Sequence, residues 1–362
     1  STLRNRNGER LMAIVRFPCP SGEYPVTIGA VTPGNLRAQA NERDRLFFLA
    51  DRTAWELHGA DFASLGAVRI VEPGERSKTA EMWVDALRWL AGSGADRRSL
   101  LVGFGGGMVC DLAGFVAATY MRGIRHAFVA TTLLAQVDAA LGGKTAIDLP
   151  EGKNLVGAFH HPIAVFCDPL QLSTLDRRHL LNGMAEVIKY GFALDPALLE
   201  RLSQGLCSLD AAPQEFFAEV VQRCCLLKAR VVADDPNDTL GIRAKLNFGH
   251  TVGHALEAAG GYQRLLHGEA VAIGMCVECN VGERLGVCAP GLAGRVRAFL
   301  KAWGLPHALP DFIPPKEAMT FLHLDKKATQ EKGITLVVPE RLGECRVVEG
   351  VSITLIEEAL GL

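Results

Sequence analysis

The apolar residues of the first half come in short runs broken by turn residues. Leu46 to Ala50 ends at Asp51, and Ala67 to Val71 precedes Pro73-Gly74. Ser99 to Gly103 leads into Gly105-Gly106-Gly107, and His126 to Ala130 ends at Thr131-Thr132. Helical patterns lie between them, over Thr79–Gly92 and from the glycines to about Tyr120. Short strands alternating with helices predict a parallel sheet with crossover helices. From about Arg178 the pattern becomes helical, over Gly183–Phe192, Pro213–Val232, Asn247–Ala259, Gly268–Leu285 and Gly291–Trp303, with one strand over Gly333–Val338. This change predicts an α/β domain over residues 1–175 and an all-α domain over 176–362.

The 362 residues suffice for two such domains, and 49% apolar with 22% charged residues excludes dominant disorder. The net charge of −2 gives no chain-wide basic field for nucleic acid. No apolar run approaches a membrane span, and the polar first ten residues carry no export-signal core. Ten scattered cysteines read as reduced, mostly buried thiols of a cytoplasmic protein. Cys276-x-x-Cys279 and Cys224-Cys225 lie in apolar helical stretches and read as helix core.

Three constellations carry candidate chemistry. Gly103 to Gly107 sits where a strand gives way to a helix. Glycine there lets backbone N–H groups approach a phosphate at a helix N-terminus, or simply makes a tight turn. Asp51 ends the first strand, where a carboxylate either bonds a ribose or caps a helix. The second group is Asp138, Lys144, Lys153 and Asn154, with Arg122 upstream; lysines beside glycines suit a phosphate or other polyanion. The third is His250 and His254, at i and i+4 on one helical face, with His267 downstream and Glu186 upstream. Histidines with a carboxylate match a zinc site that keeps one position open. Gly249, Gly253 and Gly268 cost helix stability unless a ligand or close packing requires them. Glu186 and Lys189 otherwise read as a surface pair. From the residues alone the chain is a two-domain enzyme for a dinucleotide, a divalent metal and an anionic substrate.

Six segments then combine: Gly105 to Phe115, Ala130 to Asp138, Gly142-Gly143-Lys144-Thr145, Gly152 to Phe159, Ala185 to Gly191 and Asn247 to His254. In this order and spacing they resemble the 3-dehydroquinate synthase family of sugar phosphate cyclases, from about Pro73 to Lys327. The resemblance implies a Rossmann-like NAD-binding domain followed by a metal-binding domain. It implies Glu186, His250 and His267 as ligands of zinc, or cobalt in its place. It implies cofactor contacts at Asp51, Gly74, Glu75, Lys78, Gly107, Met108, Val109, Asp111, Thr131, Thr132, Lys144, Lys153 and Thr174. It implies substrate contacts at Arg122, Asp138, Lys144, Asn154, Lys189, Lys228, Arg243, Asn247, His254, Lys326 and Lys327. Within these, His254, Lys144, Lys189, Asn247, Arg243 and Asp238 are the implied catalytic set.

The implied substrate is a phosphorylated sugar acid, 3-deoxy-D-arabino-heptulosonate 7-phosphate, and the implied product is 3-dehydroquinate. The implied reaction is transient oxidation, phosphate elimination, re-reduction and aldol closure, in the shikimate route to aromatic amino acids. A homodimer is also implied. Thr239 stands where the family has a glutamate four residues before Arg243, with Asp238 as the neighbouring carboxylate, and Cys110 replaces a more usual glycine. Two other readings stay open: a sister cyclase acting on an amino analogue, and a metal-dependent alcohol or glycerol-phosphate dehydrogenase.

Overall fold

The computed structural model describes residues 13–205, 214–235, 238–328 and 333–361. Its strands are β1 (Ala13–Cys19), β2 (Gly22–Ile28), β3 (Leu46–Asp51), β4 (Gly66–Val71), β5 (Leu100–Gly105), β6 (Arg125–Ala130), β7 (Lys144–Leu149), β8 (Gly152–Phe159), β9 (Ala164–Cys167), β10 (Ile334–Arg341) and β11 (Glu344–Val351). Its helices are α1 (Pro33–Arg37), α2 (Arg52–His58), α3 (Ala80–Gly92), α4 (Gly107–Thr119), α5 (Arg177–Ala193), α6 (Pro196–Gly205), α7 (Gln214–Asp234), α8 (His250–Ala259), α9 (His267–Arg284), α10 (Leu292–Trp303), α11 (Pro315–Ala328) and α12 (Ile353–Leu360). No helix among the described residues is long and apolar enough to cross a membrane.

The chain divides into two compact units. The first holds a seven-stranded sheet in the order β1-β2-β9-β6-β5-β3-β4. Only β1–β2 is antiparallel; the remaining pairs are parallel. Strands β3, β5, β6 and β9 are buried throughout or nearly so, as a sheet covered on both faces requires. Strands β7 and β8 form a separate antiparallel hairpin. Helix α7 belongs to this first unit although it follows α6 in sequence. Lys228 on α7 donates to the Asp138 carbonyl (2.8 Å) and to its Oδ1 (2.6 Å), and Cys225 donates to the Gln136 carbonyl at 3.5 Å. The second unit, α5 with α6 and the chain from Asp238 onward, is helical except for the β10–β11 hairpin. The hairpin is the one departure from an all-α unit among the described residues, and its first strand, β10, overlaps the strand expected over Gly333–Val338. Nine described cysteines are free thiols, with Cys276 and Cys279 buried inside α9 as core residues.

Glycines set how closely the second unit's helices approach. A Cβ on Gly274 (α9) would lie 2.0 Å from the Gly249 carbonyl oxygen. One on Gly268 would lie 2.1 Å from the Asn182 carbonyl oxygen, and one on Gly253 would press on the Val271 backbone at 3.1 Å. The helix-weakening glycines noted in the sequence are thus required by packing against backbone. Gly294, inside α10, has nothing within 4 Å of a built Cβ. Gly274→Ala should therefore destabilise the protein by about 1–3 kcal/mol through overpacking. Gly294→Ala should be neutral or stabilising by about 0.5–1 kcal/mol. Urea titration of both variants measures this contrast, and equal effects would refute the packing argument.

His126 on β6 is fully buried, stacked on His160 at 4.8 Å, and neither ring nitrogen has a hydrogen-bond partner. Burial, with His160 and His161 close by, pushes its pKa well below 6.5. Above pH 6.5 it is neutral whether folded or unfolded. Below 6.5 the unfolded chain takes up a proton that the folded ring refuses, so stability falls by about 1.4 kcal/mol per pH unit from this group. His126→Leu should flatten the acid side of the stability profile between pH 6.5 and 5; an unchanged slope would remove His126 as its source.

Candidate active site

Helix α5 carries Glu186 fully buried, and the start of α8 and the start of α9 bring His250 and His267 to it. The Nε2 atoms of His250 and His267 lie 3.5 and 3.4 Å from Glu186 Oε1. These three residues place one donor atom each within 4.8 Å of the others. Lys189 is buried with Glu186 and contacts Glu186 Oε2, so the pair is internal rather than a surface pair. His254, one turn after His250, is exposed, with its ring centroid 5.3 Å from His250 and 6.0 Å from His267.

Two residues absent from the sequence reading hold this group in place. Glu257 Oε2 sits 3.1 Å from His267 Nδ1, fixing that nitrogen as the protonated one and aiming Nε2 at Glu186. Asn182 Oδ1 accepts from Gly268 N–H at 2.6 Å, which anchors the first turn of α9 beside His267. Glu269 adds to this by accepting from Leu266 N–H at 2.8 Å, and Arg178 grips Glu269 at 2.6 and 2.8 Å. Glu257 lies seven residues after His250 on the same helical face, which was the available signal. Asn182 gave none, because its partner is a backbone group distant in sequence.

Burial alone would raise Glu186, but the Lys189 ammonium and the two imidazoles hold it well below the usual carboxylate range. Burial and Lys189 push His250 well below its ordinary value. Burial also lowers His267, yet Glu257 and Glu186 lift it to about 10. Glu186 Oε2 is met by the Lys189 ammonium, while Oε1 is buried with no hydrogen bond of good geometry. A buried carboxylate oxygen so placed beside two imidazoles fits a divalent cation, and two nitrogens with one oxygen is a ligand set of catalytic zinc.

In the first unit, Lys78 is buried and its Nζ meets Asp111 Oδ2 at 2.7 Å, Glu75 Oε1 at 3.4 Å, Asp148 Oδ1 at 3.8 Å and Asn154 Oδ1. Lys153 reaches Glu75 at 3.6 Å. Burial opposes the charge on Lys78, but Asp111, Glu75 and Asp148 raise its pKa, so the ammonium persists. Asp148 was not singled out in the sequence; it also accepts from Asn154 N–H at 2.8 Å. Asp138, on a π-helical turn over Ala135–Ala139, pairs with Lys228, so these two expected substrate contacts meet. Arg122 and Asn154 both hold left-handed backbone, with φ of 65° and 56°, a conformation costly for non-glycine residues and concentrated at functional sites.

The strand-to-helix turn at Gly105-Gly106-Gly107 leaves no room for side chains. A Cβ on Gly106 would meet Thr132 at 3.0 Å, and one on Gly107 would meet Ala139 at 2.9 Å. No side chain caps α4, so its N-terminal N–H groups present a cradle suited to a pyrophosphate. Met108 is half-buried and Val109 buried in its first turn, and Gly74 turns the chain at φ 99° before Glu75. Asp51 caps α2 by accepting from Ala54 N–H at 3.0 Å. Thr131 donates its backbone N–H to Gly105, Thr132 caps Ala135 N–H, and Thr174 bonds His58. Lys144 is exposed at the start of β7. In the second unit Arg243 is buried and Asn247 exposed on one short turn over Ile242–Asn247, and Asp238 is exposed with φ 56°. Lys326 and Lys327 fall in α11, and their side chains lie outside the described residues.

The N-terminal model of the 3-dehydroquinate synthase family matches residues 68–182, and its C-terminal model matches residues 183–328. The chain is 42% identical over 341 residues to the 3-dehydroquinate synthase of Symbiobacterium thermophilum, covering 91% of this chain and 94% of that one. It is 37% identical to the 3-dehydroquinate synthase of Dictyoglomus thermophilum, over 93% and 95% of the two chains. A solved 2-deoxy-scyllo-inosose synthase, complexed with carbaglucose-6-phosphate, NAD+ and Co2+, superposes with a TM-score of 0.86 at 25% identity, over 96% of this chain and 99% of that one. A 2-epi-5-epi-valiolone synthase from Streptomyces hygroscopicus, with NAD+ and Zn2+ bound, gives 0.83 at 26% identity, over 93% and 95%. An iron-containing alcohol dehydrogenase gives 0.66 at 16% identity, over 97% and 100%, a likeness of fold alone. With models of both family domains matched and relatives of this identity spanning nearly its whole length, the chain belongs to the 3-dehydroquinate synthase family.

Proposed function

We propose that this chain converts 3-deoxy-D-arabino-heptulosonate 7-phosphate to 3-dehydroquinate and phosphate, as a phosphate-eliminating carbon–oxygen lyase. The observation that carries the reading is the buried Glu186 carboxylate facing His250 and His267, in a chain of this family. The related cyclases hold NAD+ with cobalt or zinc, and we assign the same pair here. When bound, NAD+ supplies a hydride acceptor that is regenerated within the cycle, and the divalent metal supplies Lewis-acid polarisation of the oxygen being oxidised.

The chain's own residues supply the rest. Glu186, His250 and His267 would hold the metal, with Glu257 fixing the tautomer of His267. The glycine turn before α4, with Glu75, Lys78, Asp111 and Lys153, is the proposed cofactor seat. Arg122, Lys144 and Asn154 are assigned to the phosphate, where positive charge and amide donors stabilise it as it leaves. Lys228 and Arg243 are assigned to the substrate carboxylate. Arg243, buried in the second unit, suits a carboxylated substrate better than the sugar phosphates of the inosose- and valiolone-forming cyclases. His254, exposed beside the metal group, is assigned to substrate contact and proton transfer.

A homodimer is part of the same reading. Strand β8 pairs only with β7, and its exposed apolar residues include Leu155, Val156 and Phe159, so its outer edge is open among the described residues. Open apolar edges invite strand pairing, and a second copy of the chain is the proposed occupant.

Two measurements test these proposals. The metal-loaded protein with catalytic NAD+ should release one phosphate per dehydroquinate without accumulating NADH, and His267→Ala should lose metal and turnover together. Accumulating NADH would indicate a dehydrogenase instead, and no turnover by folded, metal-loaded protein would overturn the substrate. In sedimentation velocity at micromolar concentration the protein should run as a dimer and Val156→Lys should shift it to monomer; a monomeric parent would overturn the pairing.

A further inference from the structure

Helix α8 carries His250 and His254, yet it has no N-terminal cap of its own. Its N-cap residue is Gly249, at φ 82°. A Cβ there would lie 2.6 Å from Met275 Cγ and 2.7 Å from the Val271 carbonyl oxygen. The side chains that ordinarily cap a helix are therefore sterically barred from this position. The first-turn N–H groups of a helix have no acceptor inside it, and here Gly249 and Val252 are buried away from water.

Their acceptor comes from another helix. Glu278, about three turns along α9 from His267, is fully buried. Its Oε2 accepts from Gly249 N–H at 2.8 Å and its Oε1 from Val252 N–H at 3.1 Å. Burial raises its pKa to about 8, against the backbone donors of Val252, Gly249, Thr251 and Val337 that hold it down. Two carboxylate oxygens gripping residues on either side of His250 fix both the rotation and the depth of that turn. Helix α9 thereby supplies one member of the metal group, His267, and the anchor for another.

We propose that Glu278 is the positioning residue that sets His250 for metal ligation, by capping α8 from α9. The inference rests on the reading that Glu186, His250 and His267 hold the metal. The loss of such an outer partner ordinarily weakens metal affinity by about 10–100-fold.

The test is Co2+ titration of the metal-stripped full chain, read by the visible bands of the bound ion, with thermal melts in parallel. Glu278→Ala should weaken Co2+ binding at least about tenfold and alter the bands. Glu278→Gln keeps the shape and one acceptor, so it should show a smaller loss, and it carries the test should Glu278→Ala fail to fold. Ile356→Ala, which opens a cavity under α12 at the far end of α9, should lower Tm while leaving the titration unchanged. Parent-like Co2+ binding in both Glu278 variants, or a loss in Ile356→Ala proportional to its Tm, would overturn the positioning role. Parent-like binding in His267→Ala would overturn the metal reading itself, and the Glu278 inference with it.

Discussion

A fully buried carboxylate must be met by positive charge, and Glu186 imposes that condition on the second unit. Its partners are two imidazoles and one ammonium, drawn from α5, α8 and α9. They reach it only because helix backbones approach more closely than side chains would allow. Gly268 lies against Asn182, and Gly274 against Gly249, at separations where any Cβ would overlap a carbonyl oxygen. Interiors packed at this density transmit small changes in volume as displacement of whole elements. The glycines therefore set the spacing of the donor group as surely as the donors do.

The same arrangement explains why so many polar anchors are buried around these helices. Asn182 and Glu278 each accept backbone N–H groups at the start of a helix that carries a site histidine. Glu257 adds a hydrogen bond to His267 itself. Each anchor satisfies groups that burial would otherwise leave orphaned, and each restrains one element of the site. Rigidity and polar satisfaction are here the same set of contacts.

The first unit solves a different problem. Its glycine turn presents helix N–H groups, while Lys78 sits among Asp111, Glu75 and Asp148. One ammonium holds segments from a turn, a helix and a hairpin in register, and Asn154 is tied to it from β8. The positive φ of Arg122 and Asn154 marks two places where the backbone is held in a costly conformation by its surroundings.

The sequence alone determined the elements with strong local signals. Strands β3, β4, β5 and β6 fall within two residues of the apolar runs, and α8, α9 and α10 follow their helical periods, because burial on one or both faces writes that pattern locally. The motif order likewise disclosed the family, and the His250, His267 and Glu186 types disclosed candidate metal chemistry. Strands β1, β2, β7 and β8 escaped, since mixed exposure leaves no distinct period, and β9 escaped because four buried residues are too few to show one. Tertiary structure alone assigned α7 to the first unit, buried the Glu186–Lys189 pair and revealed Glu257, Asn182, Asp148 and Glu278. Those outcomes depend on partners distant in sequence, several of them backbone groups. A side chain's neighbours across the fold decide whether it is a ligand, a cap or an anchor, and no local pattern records them.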